Sequence, residues 1–125
     1  MIFPKSPYFL GLYYEKKALK YLQQQGLKLI ATNVRFPCGE IDLIMQEHQT
    51  WVFVEVRFRR NTMFGDAVSS ITYPKRRRLW RAANCWLAQH QESIETADCR
   101  FDICAFNHRK LVWLKNILDY TEFIR

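Results

Sequence analysis

Two acidic residues stand where a strand-forming sequence would ordinarily place apolar ones. Asp42 lies within Gly39-Glu40-Ile41-Asp42-Leu43-Ile44, and Glu55 within Val52-Phe53-Val54-Glu55-Val56-Arg57. Side chains alternate across a strand with a period of two. Glu40 and Asp42 are therefore expected on one face of the first segment, and Phe53, Glu55 and Arg57 on one face of the second. A hairpin between the segments brings Asp42 and Glu55 together, with Arg57 one step further along. An ionised carboxylate among valines carries a large desolvation cost unless a partner offsets it. An ion pair with Arg57 is one such partner. The alternative is a divalent cation held by both carboxylates. Mg²⁺ favours oxygen ligands and commonly uses one or two carboxylates beside waters and phosphate oxygens. Next to a guanidinium, that arrangement suits phosphodiester hydrolysis. The cation polarises the phosphate and lowers the pKa of a water, while Arg57 stabilises growing negative charge.

The elements that must position these residues follow from periodicity. Leu10, Tyr13, Tyr14, Ala18, Tyr21 and Leu22 recur at helical spacing, which predicts a helix over about Ser6 to Gln25 with Gly26 as its stop. Leu27 to Phe36 reads as extended, and Pro37-Cys38-Gly39 as a turn. Strands are predicted over Glu40 to Met45 and Thr50 to Phe58, the latter rich in β-branched and aromatic residues. Pro74 opens a second helix reaching to about His90. Short strands over Arg100 to Phe106 and Leu111 to Lys115 follow, and residues 117–125 carry no clear signal. The order α-β-β-β-α-β-β predicts an α/β domain with a mixed central sheet flanked by helices, one domain over residues 1–125.

Composition narrows the classes. The 125 residues carry 19 Lys and Arg against 12 Asp and Glu, a net charge of +7, and 49% are hydrophobic. That balance belongs to a globular chain and excludes wholesale disorder. No apolar run approaches the ~20 residues needed to span a bilayer, and the first residues lack the pattern of an export signal. The expectation is a cytoplasmic protein with no membrane association. Cys38, Cys85, Cys99 and Cys104 form no CxxC pair, which argues against structural zinc and for reduced, packed thiols. No glycine-rich phosphate loop is present, which disfavours nucleotide-dependent chemistry.

The positive charge is concentrated. Lys75, Arg76, Arg77, Arg78 and Arg81 place five cations within seven residues at the start of the second helix. They repel one another and oppose the helix dipole there. A solvated helical face is one explanation; contact with a phosphate backbone is the other. Arg59 and Arg60 extend the same surface, and such contacts position a nucleic acid without reading its sequence.

Asp42, then twelve residues, then Glu55-Val56-Arg57 resembles the signature of the PD-(D/E)XK nuclease superfamily, with Arg57 at the usual lysine position. More narrowly, the chain resembles the YraN-like family of small bacterial endonuclease-like proteins, similar in fold to archaeal Holliday-junction resolvases. The matching stretches are Glu15-x-x-Ala18-x-x-Tyr21-Leu22, Gly39 to Ile44, Phe53 to Arg57, Phe64-Gly65, Lys75 to Leu79 and Arg100-Phe101-Asp102. The resemblance implies a restriction-endonuclease-like fold with Asp42 and Glu55 as ligands of Mg²⁺ or Mn²⁺. It implies catalytic roles for Glu15, Asp42, Glu55 and Arg57, with Glu40 supporting the carboxylates. Arg57 departs from the pattern: arginine stabilises charge but stays protonated, so it cannot serve as a general base.

The function expected is metal-dependent hydrolysis of DNA, branched DNA and Holliday junctions included. The alternatives are a nuclease fold that binds nucleic acid without cutting it, and a basic module that meets RNA or an acidic protein. A homodimer is also expected, because Ile117, Leu118, Tyr120, Phe123 and Ile124 form an apolar segment after the last strand. Covering its own sheet edge is the other use for that segment.

Overall fold

The computed structural model describes residues 7–59, 69–107, 110–119 and 123. Helix α1 (Pro7–Gln24) is followed by strands β1 (Lys28–Phe36), β2 (Gly39–Glu47) and β3 (Thr50–Phe58), helix α2 (Tyr73–Ala88), and strands β4 (Cys99–Phe106) and β5 (Leu111–Leu114). The element order is the one expected. Five strands form one sheet in the order β1-β2-β3-β4-β5. The β1–β2, β2–β3 and β4–β5 pairs are antiparallel and β3–β4 is parallel. The sheet is therefore mixed, and its one parallel pair needs the long connection that contains α2.

Local chemistry sets the ends of the helices. Gly26 takes φ 96°, the left-handed conformation that glycine adopts without a Cβ penalty. There the Leu27 N–H donates to the Leu22 carbonyl and the Gly26 N–H to the Gln23 carbonyl, both at 3.0 Å, which closes α1 in a Schellman motif. Thr72 caps α2, its side chain accepting from the Lys75 N–H, and Pro74 sits in the first turn, where a missing N–H costs nothing.

Each helix covers one face of the sheet. Tyr14, Ala18 and Leu22 of α1 pack with Leu43, Met45, Val52, Val54, Cys104 and Phe106. On the other face Leu79, Ala82, Ala83 and Leu87 of α2 pack with Ile41, Ile44, Phe53, Phe101, Ile103 and Ala105. Full burial of each large aliphatic side chain contributes about 2 kcal/mol. Among the described residues no helix is long and apolar enough to cross a membrane.

Membership of the two faces exposes a break in β2. Ile41 and Ile44 share the α2 face while Leu43 lies on the α1 face. Strict alternation would group Ile41 with Leu43, so the pleat is interrupted at Asp42. Opposite, between the pairs Thr32–Leu43 and Val34–Ile41, Asn33 adopts φ 49°. Asparagine tolerates this region better than most residues. The expectation that Glu40 and Asp42 project from one regular face is thus corrected by a local irregularity in both strands.

Gly39 sits where the β1–β2 turn touches α2. A Cβ there would collide with the Arg78 carbonyl oxygen, a backbone atom that cannot swing away. Gly39→Ala is expected to destabilise the protein by roughly 1–3 kcal/mol, as overpacking does. Denaturant midpoints of the two proteins check this, and an unchanged midpoint would show that the turn does not bear on the helix.

The apolar segment after β5 returns onto its own chain. The Ile117 N–H donates to the Phe101 carbonyl at 2.8 Å, and Leu118 is buried in the α2-side core. Phe123 lies 5.6 Å from Trp80 and 5.5 Å from Tyr73, centroid to centroid. These three residues meet their apolar partners within one protomer; Tyr120 and Ile124 lie outside the described residues.

Candidate functional site

The pairing of β2 with β3 runs from Glu47–Thr50 to Leu43–Val54 and stops there. In the next step, where Asp42 would face Glu55, the strands part. The Asp42 carboxylate replaces the missing ladder bond: its Oδ2 accepts from the Val56 N–H at 2.9 Å. Glu55 is buried, and its Oε1 lies 3.2 Å from Lys75 Nζ and 3.9 Å from Arg57 Nε. Where the pairing ends, the two carboxylates lie near enough for Glu55 to act on Asp42, with one ammonium and one guanidinium beside Glu55.

Charge in this opening is under tension. The Asp42 carboxyl is pushed up to about 7 from its ordinary 3.8, first by burial and then by the negative charge of Glu55. The Val56 N–H and Lys75 act in the opposite direction without cancelling the rise. Glu15, on α1, is also raised, by burial and then by the charge of Asp42, while a hydrogen bond with the Asn33 side chain opposes the rise. Burial pulls Arg57 below its ordinary value, and Glu55 partly restores it. Arg57 donates through Nη2 to the Ser70 carbonyl at 3.2 Å. Its buried Nε has no hydrogen-bond partner among the described residues.

The structure therefore brings Glu15, Asp42, Glu55 and Arg57 into one electrostatic neighbourhood. Glu40 lies at the exposed rim: it pairs with Arg35 at 3.3 Å and adds to the repulsion felt by Asp42 and Glu15. A cleft of about 320 Å³ opens beside Glu55, lined also by Arg35, Gly39, Glu40, Lys75 and Arg78.

The basic cluster divides by task. Lys75 turns inward to Glu55 rather than lying on the outer surface. Arg76 donates to the Ile71 carbonyl at 2.9 Å, stabilising the entry into α2. Arg77, Arg78 and Arg81 are exposed, and their three- and four-residue spacings put them on one side of the helix. Arg59 continues from β3, donating through its backbone N–H to Phe106 and through Nη1 to the Phe58 carbonyl. Arg60 lies outside the described residues, as does the Phe64-Gly65 match.

Two participants escaped the sequence reading. Lys75 looked like one more surface cation, and only the docking of α2 aims it at Glu55. Asn33 carried no signal beyond being an asparagine inside a strand, the residue type that most readily accepts its backbone angle.

Two oxygen-bearing groups that repel each other in a buried opening suit a divalent cation, which would relieve that repulsion. Asp42 and Glu55 are the residues that would hold it. Among the described residues no group of three or more His, Cys, Asp and Glu side chains gathers around one point. The donor set accordingly fits Mg²⁺ or Mn²⁺, which complete their shells with water and phosphate oxygens, and does not fit a closed structural metal site.

Asp102, the acidic residue of the last matching stretch, belongs elsewhere. It is buried in β4 and accepts from Arg100 Nε at 3.1 Å, Trp113 Nε1 at 2.9 Å and the Asn116 N–H at 2.9 Å. Arg100 also meets Glu47 at 2.8 Å. This network ties β2, β4, β5 and the segment after β5 together, away from the parted strands.

The fold is similar to that of Hjc, a Holliday junction resolvase from the archaeal hyperthermophile Archaeoglobus fulgidus. The TM-score is 0.50 at 17% identity, covering 88% of this chain and 80% of that one. At that identity the likeness is one of fold. Relatives in sequence are much nearer. A UPF0102 protein of Photorhabdus laumondii is 52% identical over 120 residues, covering 96% of this chain and 95% of its own. One from Yersinia enterocolitica is 53% identical over 109 residues, covering 87% and 93%. Residues 14–106 match the family described as Uncharacterised protein family UPF0102, a span that includes both helices' buried faces, both carboxylates and four of the five strands in full. The chain belongs to the UPF0102 family, which the YraN-like resemblance anticipated.

Proposed function

We propose that this protein is a Mg²⁺- or Mn²⁺-dependent endonuclease that hydrolyses DNA phosphodiester bonds, with branched DNA among its substrates. The observation that carries the reading is the parting of β2 and β3 at Asp42 and Glu55, which leaves two carboxylates facing each other beside Lys75 and Arg57. Both nearby cations approach Glu55, while among the described residues Asp42 accepts only the Val56 N–H and is raised to about 7, an imbalance that a structural ion pair does not call for.

Each residue has a task in this reading. Asp42 and Glu55 hold the cation, with the Val56 N–H fixing the Asp42 carboxylate in place. When bound, the cation supplies Lewis-acid polarisation of the phosphate and a more acidic water. Arg57, with its Nε unsatisfied and its Nη2 anchored on Ser70, is set to donate to a phosphate oxygen. Lys75 offers a second, more mobile cation from the opposite wall. Glu15 is near enough to Asp42 to raise its negative field and to orient water at the opening. Arg77, Arg78 and Arg81, with Arg59 at the end of β3, would follow the backbone of the duplex, and Arg60, next in sequence, would add to their charge. The Hjc likeness is what brings four-way junctions forward as substrates.

Incubation with linear, flapped and four-way DNA in Mg²⁺, Mn²⁺ or EDTA, beside an Asp42→Ala control, tests the proposal. Cation-dependent cutting that the control lacks supports it; no cutting of any substrate in either cation would remove it. The second reading, binding without cutting, draws on Arg57 at the lysine position and on Lys75 neutralising Glu55 without any metal. Junction binding undiminished by EDTA, with no product, would favour it.

The outer arginines give a separate expectation. Arg77→Ala, Arg78→Ala and Arg81→Ala combined should weaken DNA binding and flatten its salt dependence by a slope of about 3, near one unit per lost phosphate contact. Fluorescence anisotropy across a salt series measures it. A slope equal to that of the parent protein would mean that this helix face is only solvated.

A two-fold dimer on a four-way junction belongs to the same reading, since paired strands present two scissile bonds. Its sequence motive is weakened by Leu118 and Phe123 packing within the chain. Sedimentation of the protein alone and on a junction tests it, and a monomer in both states would leave single-site nicking.

A further inference from the structure

Cys38 and Cys85, 47 positions apart, approach each other to 3.5 Å between Sγ atoms. Cys38 lies in the β1–β2 turn and Cys85 in the fourth turn of α2. Both are free and half-buried, and both line a cavity of about 650 Å³ together with Trp80, Arg81, Asn84 and Ser93. A small solute reaching that cavity meets two thiols at once. The backbone behind them is already docked, because Gly39 touches the Arg78 carbonyl oxygen without room for a Cβ.

We propose that Cys38 and Cys85 are a modification site, a thiol pair that hydrogen peroxide converts to an intramolecular disulfide joining the β1–β2 turn to α2. The Cys38 thiolate attacks one peroxide oxygen, the O–O bond breaks, and a sulfenic acid forms with loss of water once the proton is returned. The Cys85 sulfur then attacks the Cys38 sulfur, the S–O bond breaks, and a second water leaves. In sum two thiols lose two hydrogens and two electrons, and one peroxide becomes two waters. Bonding requires the sulfurs to close from 3.5 Å to ~2.05 Å.

The two thiols share a hydrogen bond in which either sulfur can donate, and that bond, together with burial, raises the Cys85 pKa. The disulfide formed with Cys38 as the attacking sulfur and Cys85 as the resolving one is the same if they exchange roles. The other two cysteines do not compete. Burial pushes Cys99 up to about 11 and Cys104 up to about 12, which keeps both protonated. The bond also has a place that matters, since Cys38 lines the cleft that holds Glu55 and Lys75 as well. Oxidation would fasten one wall of that cleft to the helix that forms the other.

The test uses the whole protein, reduced and then exposed to hydrogen peroxide under conditions that fully oxidise free cysteine alongside. Peptide mapping without reductant is expected to show Cys38 joined to Cys85, two of the four thiols lost, and reversal by dithiothreitol. The oxidised protein should melt several degrees higher, as a cross-link closing a loop of this length does. In Cys85→Ser the same treatment should leave a sulfenic acid on Cys38 that dimedone traps, and no intramolecular disulfide. Four thiols still free to alkylate in the treated wild type, or a bond between any other pair of cysteines, would overturn the proposal. None of these readouts depends on DNA cleavage.

Discussion

Asp42→Asn is expected to lower cation-dependent DNA cleavage by about a thousandfold, equivalent to roughly 4 kcal/mol of transition-state stabilisation, while making the folded protein more stable at neutral pH. The two effects have one origin. The Asp42 carboxyl sits at about 7 when folded and 3.8 ordinarily, so between those values the native state holds a proton that the unfolded chain has released. Stability is therefore fully present below about pH 4 as far as this group is concerned, and is lost as pH rises through about 7. The loss is on the order of a few kcal/mol. Asparagine keeps an acceptor for the Val56 N–H, carries no charge and does not titrate. Thermal melts across this pH window should show stability falling in the wild type and a flatter profile in Asp42→Asn. Mn²⁺ should restore the wild type at neutral pH and leave the variant unmoved, and should bind more tightly as pH rises through about 7. A wild-type stability that instead rose across this window, with Mn²⁺ acting equally on both proteins, would show that Asp42 is neither strained nor a ligand.

Asp102→Ala carries the largest expected loss of stability, roughly 3–5 kcal/mol, the range for removing one member of a buried ion pair. It strands Arg100 Nε, Trp113 Nε1 and the Asn116 N–H together. Against the roughly 5–15 kcal/mol that stabilises a typical domain, such a loss leaves little margin at growth temperature. Chemical denaturation gives the direct measurement. Arg100→Met in the Asp102→Ala background should recover part of the loss, because the Arg100 Nε left without its acceptor is removed, although the Glu47 pair goes with it. A small single-variant cost, below about 1 kcal/mol, would mean that water replaces Asp102 and that the network does not hold the sheet.

Legibility in the sequence followed the range of the interaction. Thr50 to Phe58 was read as a strand end to end, and Gly26 as a helix stop, because alternation and a single glycine act within a few residues. Asp42 and Glu55 were paired correctly because a tight hairpin converts spacing into proximity. The same logic carried less far for Glu40, since two-residue alternation assumes an unbroken pleat and Asn33 at φ 49° interrupts it opposite Asp42, leaving Glu40 paired with Arg35 at the rim of the cleft. Lys75 was invisible as a partner of Glu55, because the contact exists only once α2 has packed on the far face of the sheet. Asp102 entered only as part of a stretch matching the family, and its partners Trp113 and Asn116 make it a structural acceptor. Short-range periodicity carries no information about which buried acid finds donors and which finds another acid.

Order of assembly follows from the one parallel pair in the sheet. β1, β2 and β3 join through turns of two residues, whereas Trp51 of β3 must find Cys99 of β4, 48 positions later. Loop closure of that length is entropically unfavourable before any contact rewards it, so non-local pairing sets the pace of folding. The three-stranded meander forms first on this argument, and it already contains both Asp42 and Glu55. Two mutually repelling acids are thus brought face to face by the fastest-closing part of the chain, and Lys75, the charge that relieves them, arrives with the slowest.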